Sequence, residues 1–273
     1  MRLAINYSPP AAKLVQSGQI EVDLFKTPDW EWMISEAQII KPVTVHFRFD
    51  AGNDSLEQVD WNYVDRLAKR SDTPYINLHL DARGSFYPGI PVDTNNKVEK
   101  ELVYKTILSD VMKVVKRFGA ERIIVENCFS QGEDGKTMRL CEEPELITRV
   151  VEETGCGFLL DIAHAIIAAK HIRLKPGEYM SRLPVKSLKE MHFTGINHFQ
   201  QTGRWMDHLA IREKDWHWLD WVLKHIRGGE WSQPWLLVFE YGGVGEPFEW
   251  RSDPQVITWQ VPELYERVKS MGE

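Results

Sequence analysis

Residues 157–170, GFLLDIAHAIIAAK, end an apolar run at Asp161 and place His164 three residues later. A carboxylate and an imidazole set into apolar sequence are costly to bury unless they are paired or hold a cation. The placement recurs along the chain. His46, His79, Glu126, Asp161, His192 and Glu240 stand at the C-terminal ends of six successive apolar runs, and His164 and His208 follow just beyond run ends, with Asp207 beside the latter. Histidine and carboxylate donors without thiolates suit divalent iron, zinc or manganese rather than a soft metal. So many donors exceed the need of one tetrahedral ion. Two or three divalent ions are expected, with Glu126 on the middle strand as the bridging ligand.

Glu126 and Glu240 are also the candidate catalytic carboxylates, because a proton shuttle needs such groups beside a metal-polarised substrate. Arg48, Arg83 and Arg204 lie near the ligand positions and can hold an anionic substrate group in bidentate fashion, or pair with local carboxylates. His198 is a candidate substrate contact, and Lys26 reads as either a substrate contact or an ion-pair partner. His171, His217 and His225 fall away from run ends and read as structural or surface residues. Cys128, Cys141 and Cys156 lack C-x-x-C spacing and read as free structural thiols. Gly242, Gly243 and Gly245 form a loop with only a weak likeness to a phosphate-binding turn.

The elements that must carry these residues are eight short apolar runs, at 2–7, 21–25, 43–49, 75–81, 122–127, 157–162, 188–195 and 235–241. Near-continuous apolarity suits parallel strands covered on both faces. Helical patterns lie between them, as in SLEQVDWNYVDRLAKR and VEKELVYKTILSDVMKVVKRFG, and several end in basic residues and glycine. Eight such repeats predict an α/β chain folded as a single (β/α)8 TIM barrel over residues 1–273, with a doubly wound open sheet as the other arrangement. The long connections DARGSFYPGIPVDTNN, CFSQGEDGKTMRLCEE and GINHFQQTGRWMDHLAIREKD all follow strands, which places them on the C-terminal rim where such barrels build active sites. Trp218, Trp221 and His225 share helical spacing and read as helix packing, and Pro262 is expected to interrupt the last helical region.

The bulk composition narrows the partners. With 273 residues, 43% hydrophobic and 27% charged, the chain can bury a sizeable core. A net charge of −7 argues against nucleic acid and an anionic membrane surface as partners. No apolar run approaches the roughly 20 residues of a membrane span, and the start MRLAINYSPPAAKL is too polar for a signal peptide, so a cytoplasmic protein is expected.

The ligand order resembles that of the xylose isomerase-like TIM-barrel superfamily, which includes endonuclease IV and many sugar isomerases and epimerases. The endonuclease IV pattern of His, His, Glu, Asp-x-x-His, His, Asp-x-His and Glu is matched in order by His46, His79, Glu126, Asp161, His164, His192, His208 and Glu240. It departs at Asp-x-His, where Met206 stands two residues before His208, and at the second His, where HLDARG lacks the Pro-Gly of that enzyme. The segments IIVENC, EEPELITRVVEETGCGFLLDIAHA, SRLPVKSLKEMHFTG and WLLVFEY, in the second half of the chain, resemble the multinuclear non-haem iron oxidases. That resemblance implies two or three irons, dioxygen, a Cys-containing peptide substrate and, for some members, a partner protein. His164 stands where those oxidases commonly carry Asn.

The expectation is therefore a multinuclear metal-dependent enzyme acting on a peptide or small molecule, with oxidation as the leading chemistry. A divalent-metal sugar isomerase or epimerase is the alternative. Phosphodiester hydrolysis and a non-catalytic metal-dependent binding protein follow.

Overall fold

The computed structural model describes residues 1–129, 137–201 and 203–272. Residues 130–136 of the connection CFSQGEDGKTMRLCEE and Thr202 of the connection after the seventh expected strand lie outside the described residues. The strands are β1 (Arg2–Asn6), β2 (Leu24–Pro28), β3 (Val43–His46), β4 (Phe49–Ala51), β5 (Ile76–Leu80), β6 (Ile123–Glu126), β7 (Gly157–Asp161), β8 (Leu188–Phe193), β9 (Gly195–Phe199), β10 (Arg204–Leu209) and β11 (Leu236–Phe239). Helices alternate with them. Two compact units result, each drawn from separated stretches: Met1–His46, Asn62–Pro74 and Lys189–Glu273 form the first, Phe47–Trp61 and Tyr75–Leu188 the second.

In the first unit β3, β2, β1, β11 and β8 pair in that order, all parallel. Ala4, Leu24, Leu236 and Val238 cluster in its core, with Trp235 packed against them. Side chains two apart on a strand share a face. The face that holds Ala4, Leu24 and Val238 therefore continues through Asn6, Lys26 and Glu240, and the apolar inner surface turns polar at the C-terminal strand ends. Lys26 stands in β2, two residues inside its end, whereas the expected second strand at 21–25 stops short of it. The shift has a local cause: the Asp23 carboxylate accepts the Leu3 amide at 2.8 Å, so the residues before Leu24 act as an entry to the strand.

The second unit carries β4, β5, β6 and β7, again parallel throughout. Register sets His79 beside Glu126 and Glu126 beside Leu159, two residues before Asp161. The expected third strand is divided into β3 and β4 at Phe47 and Arg48. There the Asn77 side chain takes over the pairing, accepting the Phe47 amide at 2.8 Å and donating to the Phe47 carbonyl at 2.9 Å.

Two further departures from the sequence pattern matter. The connection after the seventh expected strand contains β9 and β10, which pair antiparallel with a shift of register between Met206 and Leu209. Pro262 does not interrupt the last helix, which runs unbroken over Pro254–Lys269. Its buried face, Ile257, Val261, Leu264 and Val268, continues across the proline, so tertiary packing outweighs the one lost helical bond. Among the described residues, no helix is long and apolar enough to cross a membrane.

Candidate metal centre

Glu126 ends β6 and Asp161 ends β7, and both are almost wholly buried, at 1% and 0% exposure. Asn127, the residue after Glu126, fixes the second of them. Its amide donates to the Asp161 carbonyl and accepts the Asp161 amide, each at 2.9 Å. Asp161 then caps the helix Ile162–His171 by accepting the His164 amide at 2.8 Å. A carboxylate at a helix start satisfies an orphan donor and gains from the helix dipole. The three-residue spacing of Asp161 and His164 is thus the spacing of a cap and its third helical residue.

His164 completes the arrangement. Its Nδ1 lies 2.9 Å from the Asn127 carbonyl, an acceptor, so Nδ1 carries the proton and Nε2 keeps its lone pair. That Nε2 lies 3.7 Å from Asp161 Oδ2. Glu126, Asp161 and His164 each offer a donor atom within 4.8 Å of the others. His79 adds to the set, with Nε2 3.3 Å from Glu126 Oε2. Ion–donor bonds of about 2.1 Å can bring together donors separated by roughly 4 Å, so the 3.3 and 3.7 Å pairs suit a shared ion. Two buried carboxylates with two imidazoles also form a donor set of the kind divalent iron, zinc and manganese take. The residues present fit a metal ion.

Behind His79, Asp50 stands 3.6 Å from Nδ1. Arg83, half exposed, donates to Asp50 at 2.8 Å and to Asp81 at 3.2 Å. Burial pushes the Asp50 carboxyl up, while His79 and Arg83 pull it back. For His79, burial disfavours the charged ring, yet the attraction of Glu126 and Asp50 outweighs it and the pKa is raised. Phe129 covers His164, with ring centroids 5.0 Å apart.

The first unit holds a second cluster. Glu240 follows β11 and is 5% exposed; its Oε1 accepts a hydrogen bond from Lys26 Nζ and lies 3.2 Å from His192 Nδ1. The other ring nitrogen of His192 is 3.1 Å from Glu190, whose second oxygen accepts the Trp235 indole at 3.2 Å. His46 stacks obliquely near His192, with centroids 5.2 Å apart. His208 Nδ1 lies 2.8 Å from the Glu240 carbonyl, and its Nε2 is 3.8 Å from Asp207 Oδ1.

The structure thus brings His79, Glu126, Asp161 and His164 together in the second unit, and His46, His192, His208 and Glu240 into neighbouring positions in the first. The candidate substrate residues are more scattered. Arg48 is exposed between β3 and β4, and Arg204 is exposed at the start of β10. His198 is exposed on β9, with its ring 5.1 Å from that of Trp205. Arg83 is engaged by Asp50 and Asp81. His171 is tied to the buried Glu142 at 2.8 Å. The sequence pattern gave no role to Asn127, Asp50 or Glu190; the amide directly after Glu126 inside an apolar run was the one available signal.

Comparison with solved structures shows the fold. The chain has a TIM-barrel fold, like that of the solved structures it resembles. D-psicose 3-epimerase from Clostridium cellulolyticum H10 superposes with a TM-score of 0.57 at 11% identity over 99% of both chains. An AP endonuclease, family 2, from Brucella melitensis does so with a TM-score of 0.54 at 12% identity, over 96% of this chain and 98% of the other. More particularly, residues 96–229 match the family described as RiPP precursor modification enzyme MbnB/TglH/ChrH. A UPF0276 protein from Psychromonas ingrahamii is 29% identical over 79 residues, 29% of this chain and 27% of that protein. Another from Paraburkholderia phytofirmans is 33% identical over 73 residues, 27% of this chain and 23% of its own length. These matches span about a quarter of either relative.

Proposed function

We infer that the chain is a metal-dependent enzyme that modifies a peptide, with oxidation of a Cys-containing segment as its chemistry and iron as its metal. The observation that carries this reading is the coincidence of two things. The donor set Glu126, Asp161 and His164 lies inside residues 96–229, the segment that matches a family of peptide-modifying enzymes. His79 joins the set from β5.

In this reading Glu126, Asp161, His164 and His79 would hold the ion, which when bound supplies Lewis acidity and, as iron, access to dioxygen chemistry. The protein's own contribution is geometric. Asn127 locks the Asp161 backbone, the helix start orients its carboxylate, and the Asn127 carbonyl selects the His164 tautomer. Such supporting contacts fix donors before the ion arrives. Arg48, Arg83, Arg204 and His198 remain the candidate contacts for substrate, and a partner protein would deliver the peptide.

The test is Fe(II) reconstitution under nitrogen, followed by exposure to air with a panel of Cys-containing peptides and mass spectrometry of the products. Oxygen uptake with a peptide mass change, lost in Glu126→Gln, is the expected result. Absence of iron binding, or peptide modification unaffected by Glu126→Gln, would refute it. Sugar epimerisation, named for several proteins of this fold, would use Glu126 and Glu240 as the proton-shuttling pair. The Lys26 ammonium held on Glu240 disfavours that role, since a base already paired with a cation is a weaker proton acceptor. Solvent deuterium entering D-fructose or D-tagatose would reverse that preference.

A further inference from the structure

Lys26 belongs to the first unit's cluster, although the ligand pattern does not contain it. It sits on the inner face of β2, two residues beyond core residue Leu24, and is 6% exposed. Its ammonium donates to Glu240 Oε1, itself buried. The same oxygen lies 3.2 Å from His192 Nδ1. A divalent ion placed between His192 and the nearer Glu240 oxygen would therefore share that oxygen with an ammonium.

Two cations on one carboxylate oxygen repel, and the repulsion is little screened where water is excluded. The rest of the cluster is arranged for the ammonium. Glu190 lies 3.1 Å from His192 Nε2 and Glu240 lies 3.2 Å from Nδ1, so the buried ring has a carboxylate at each nitrogen. Two buried carboxylates around one imidazole need positive charge beside them, and the Lys26 Nζ supplies it at Glu240. Its aliphatic stem fills the strand position that an apolar residue would otherwise occupy.

We propose that Lys26 is a resident cation that takes the place of a divalent ion at Glu240, so that metal is held by the second unit's donors and the first unit's cluster stays metal-free. The inference deepens the reading of a metal enzyme, and rests on it for the ion held by Glu126, Asp161 and His164. It makes Lys26 a positioning residue for Glu240 and sets the number of ions per chain.

The experiment is metal content by mass spectrometry after Fe(II) or Zn(II) reconstitution, on wild type, Lys26→Met, Lys26→Gln and the double variant Lys26→Met with Glu240→Gln. Circular dichroism and melting check that each is folded. Each single variant is expected to hold one ion more than wild type, and the double variant is expected to lose that extra ion. Folded Lys26 variants with the wild-type ion count, or fewer, would overturn the proposal. Should both Lys26 variants fail to fold, Glu240→Gln in the wild-type background decides: an unchanged ion count supports the proposal, and loss of one ion overturns it. A wild type without metal whose Lys26→Met variant gains an ion would uphold the role of Lys26 while refuting the proposed function. No ion in either protein would refute both.

Discussion

Asn127→Ala is the perturbation that best separates the positioning of the donor set from the donors themselves. Asn127 touches no ion in the proposed arrangement, yet its side chain makes both hydrogen bonds that hold the Asp161 backbone, each at 2.9 Å. Truncation leaves a buried N–H and a buried carbonyl of Asp161 without those partners, at about 1–3 kcal/mol each, or roughly 4 kcal/mol together. At about 2 °C per kcal/mol for a chain of this size, the melting temperature of the metal-free protein is expected to fall by roughly 8 °C. The effect on metal follows from the same contacts, because Asp161 both presents its carboxylate and caps the helix that carries His164. Loss of a supporting hydrogen bond of this kind typically weakens metal affinity about 10–100-fold. Calorimetry on the metal-free protein and competition with a chelator for Zn(II) give the two quantities. A variant that melts with wild type and binds Zn(II) as tightly would refute the claim that Asn127 organises the site. A drop in melting temperature with unchanged affinity would show a structural clamp with no bearing on the donors.

Other outcomes follow from the same geometry. His164→Ala removes a donor while keeping the cap, so Zn(II) affinity should fall by more than the roughly 100-fold upper effect of a supporting residue, with helix content unchanged by circular dichroism. The three thiols are buried, and burial pushes each one up, Cys156 to about 11. At pH 8 the native protein should therefore resist iodoacetamide, with three sites labelled only after denaturation; rapid native labelling of Cys128 would contradict the packing around Glu126. In the metal-free protein the raised pKa of His79 means its charged form is favoured on folding. That contribution is fully present below the ordinary imidazole value of about 6.5 and is lost as pH rises through the higher folded value. Urea midpoints compared with His79→Gln should thus converge as pH increases from 5 to 9, and a difference that grows with pH would reverse the assigned sign.

The clustered His and carboxylate residues were legible because a strand alternates its faces. An apolar run that ends in His or a carboxylate on its inward side leaves a polar group at the sheet's C-terminal edge, and this pattern alone picked out Glu126, Asp161, His192 and Glu240. The supporting residues were less legible for a physical reason: what they do depends on neighbours distant in sequence. Asn127 matters through Asp161, 34 residues away, and Asp50 through His79 and Arg83. Lys26 was misplaced because the second strand begins at Leu24, a boundary set by Asp23 bonding to β1 rather than by hydropathy. The division of the third strand depends likewise on Asn77, a side chain that substitutes for strand pairing.

The stretch Met206-Asp207-His208 departs from regular strand alternation. In a regular strand, residues one apart point to opposite faces, so Asp207 and His208 would diverge, while Met206 would share the face of His208. The structure breaks that rule at this point. β10 shifts register between Met206 and Leu209, and His208 adopts φ 55°, a left-handed conformation that costs a residue other than glycine about 1 kcal/mol or more. The shift leaves Met206 exposed at 38% and brings Asp207 Oδ1 within 3.8 Å of His208 Nε2, with the opposite ring nitrogen anchored on the Glu240 carbonyl. A bulge is a means of re-aiming side chains near a site. Here the strained His208 backbone lets one imidazole face both the Asp207 carboxylate and the Glu240 carbonyl, which a regular strand would not allow.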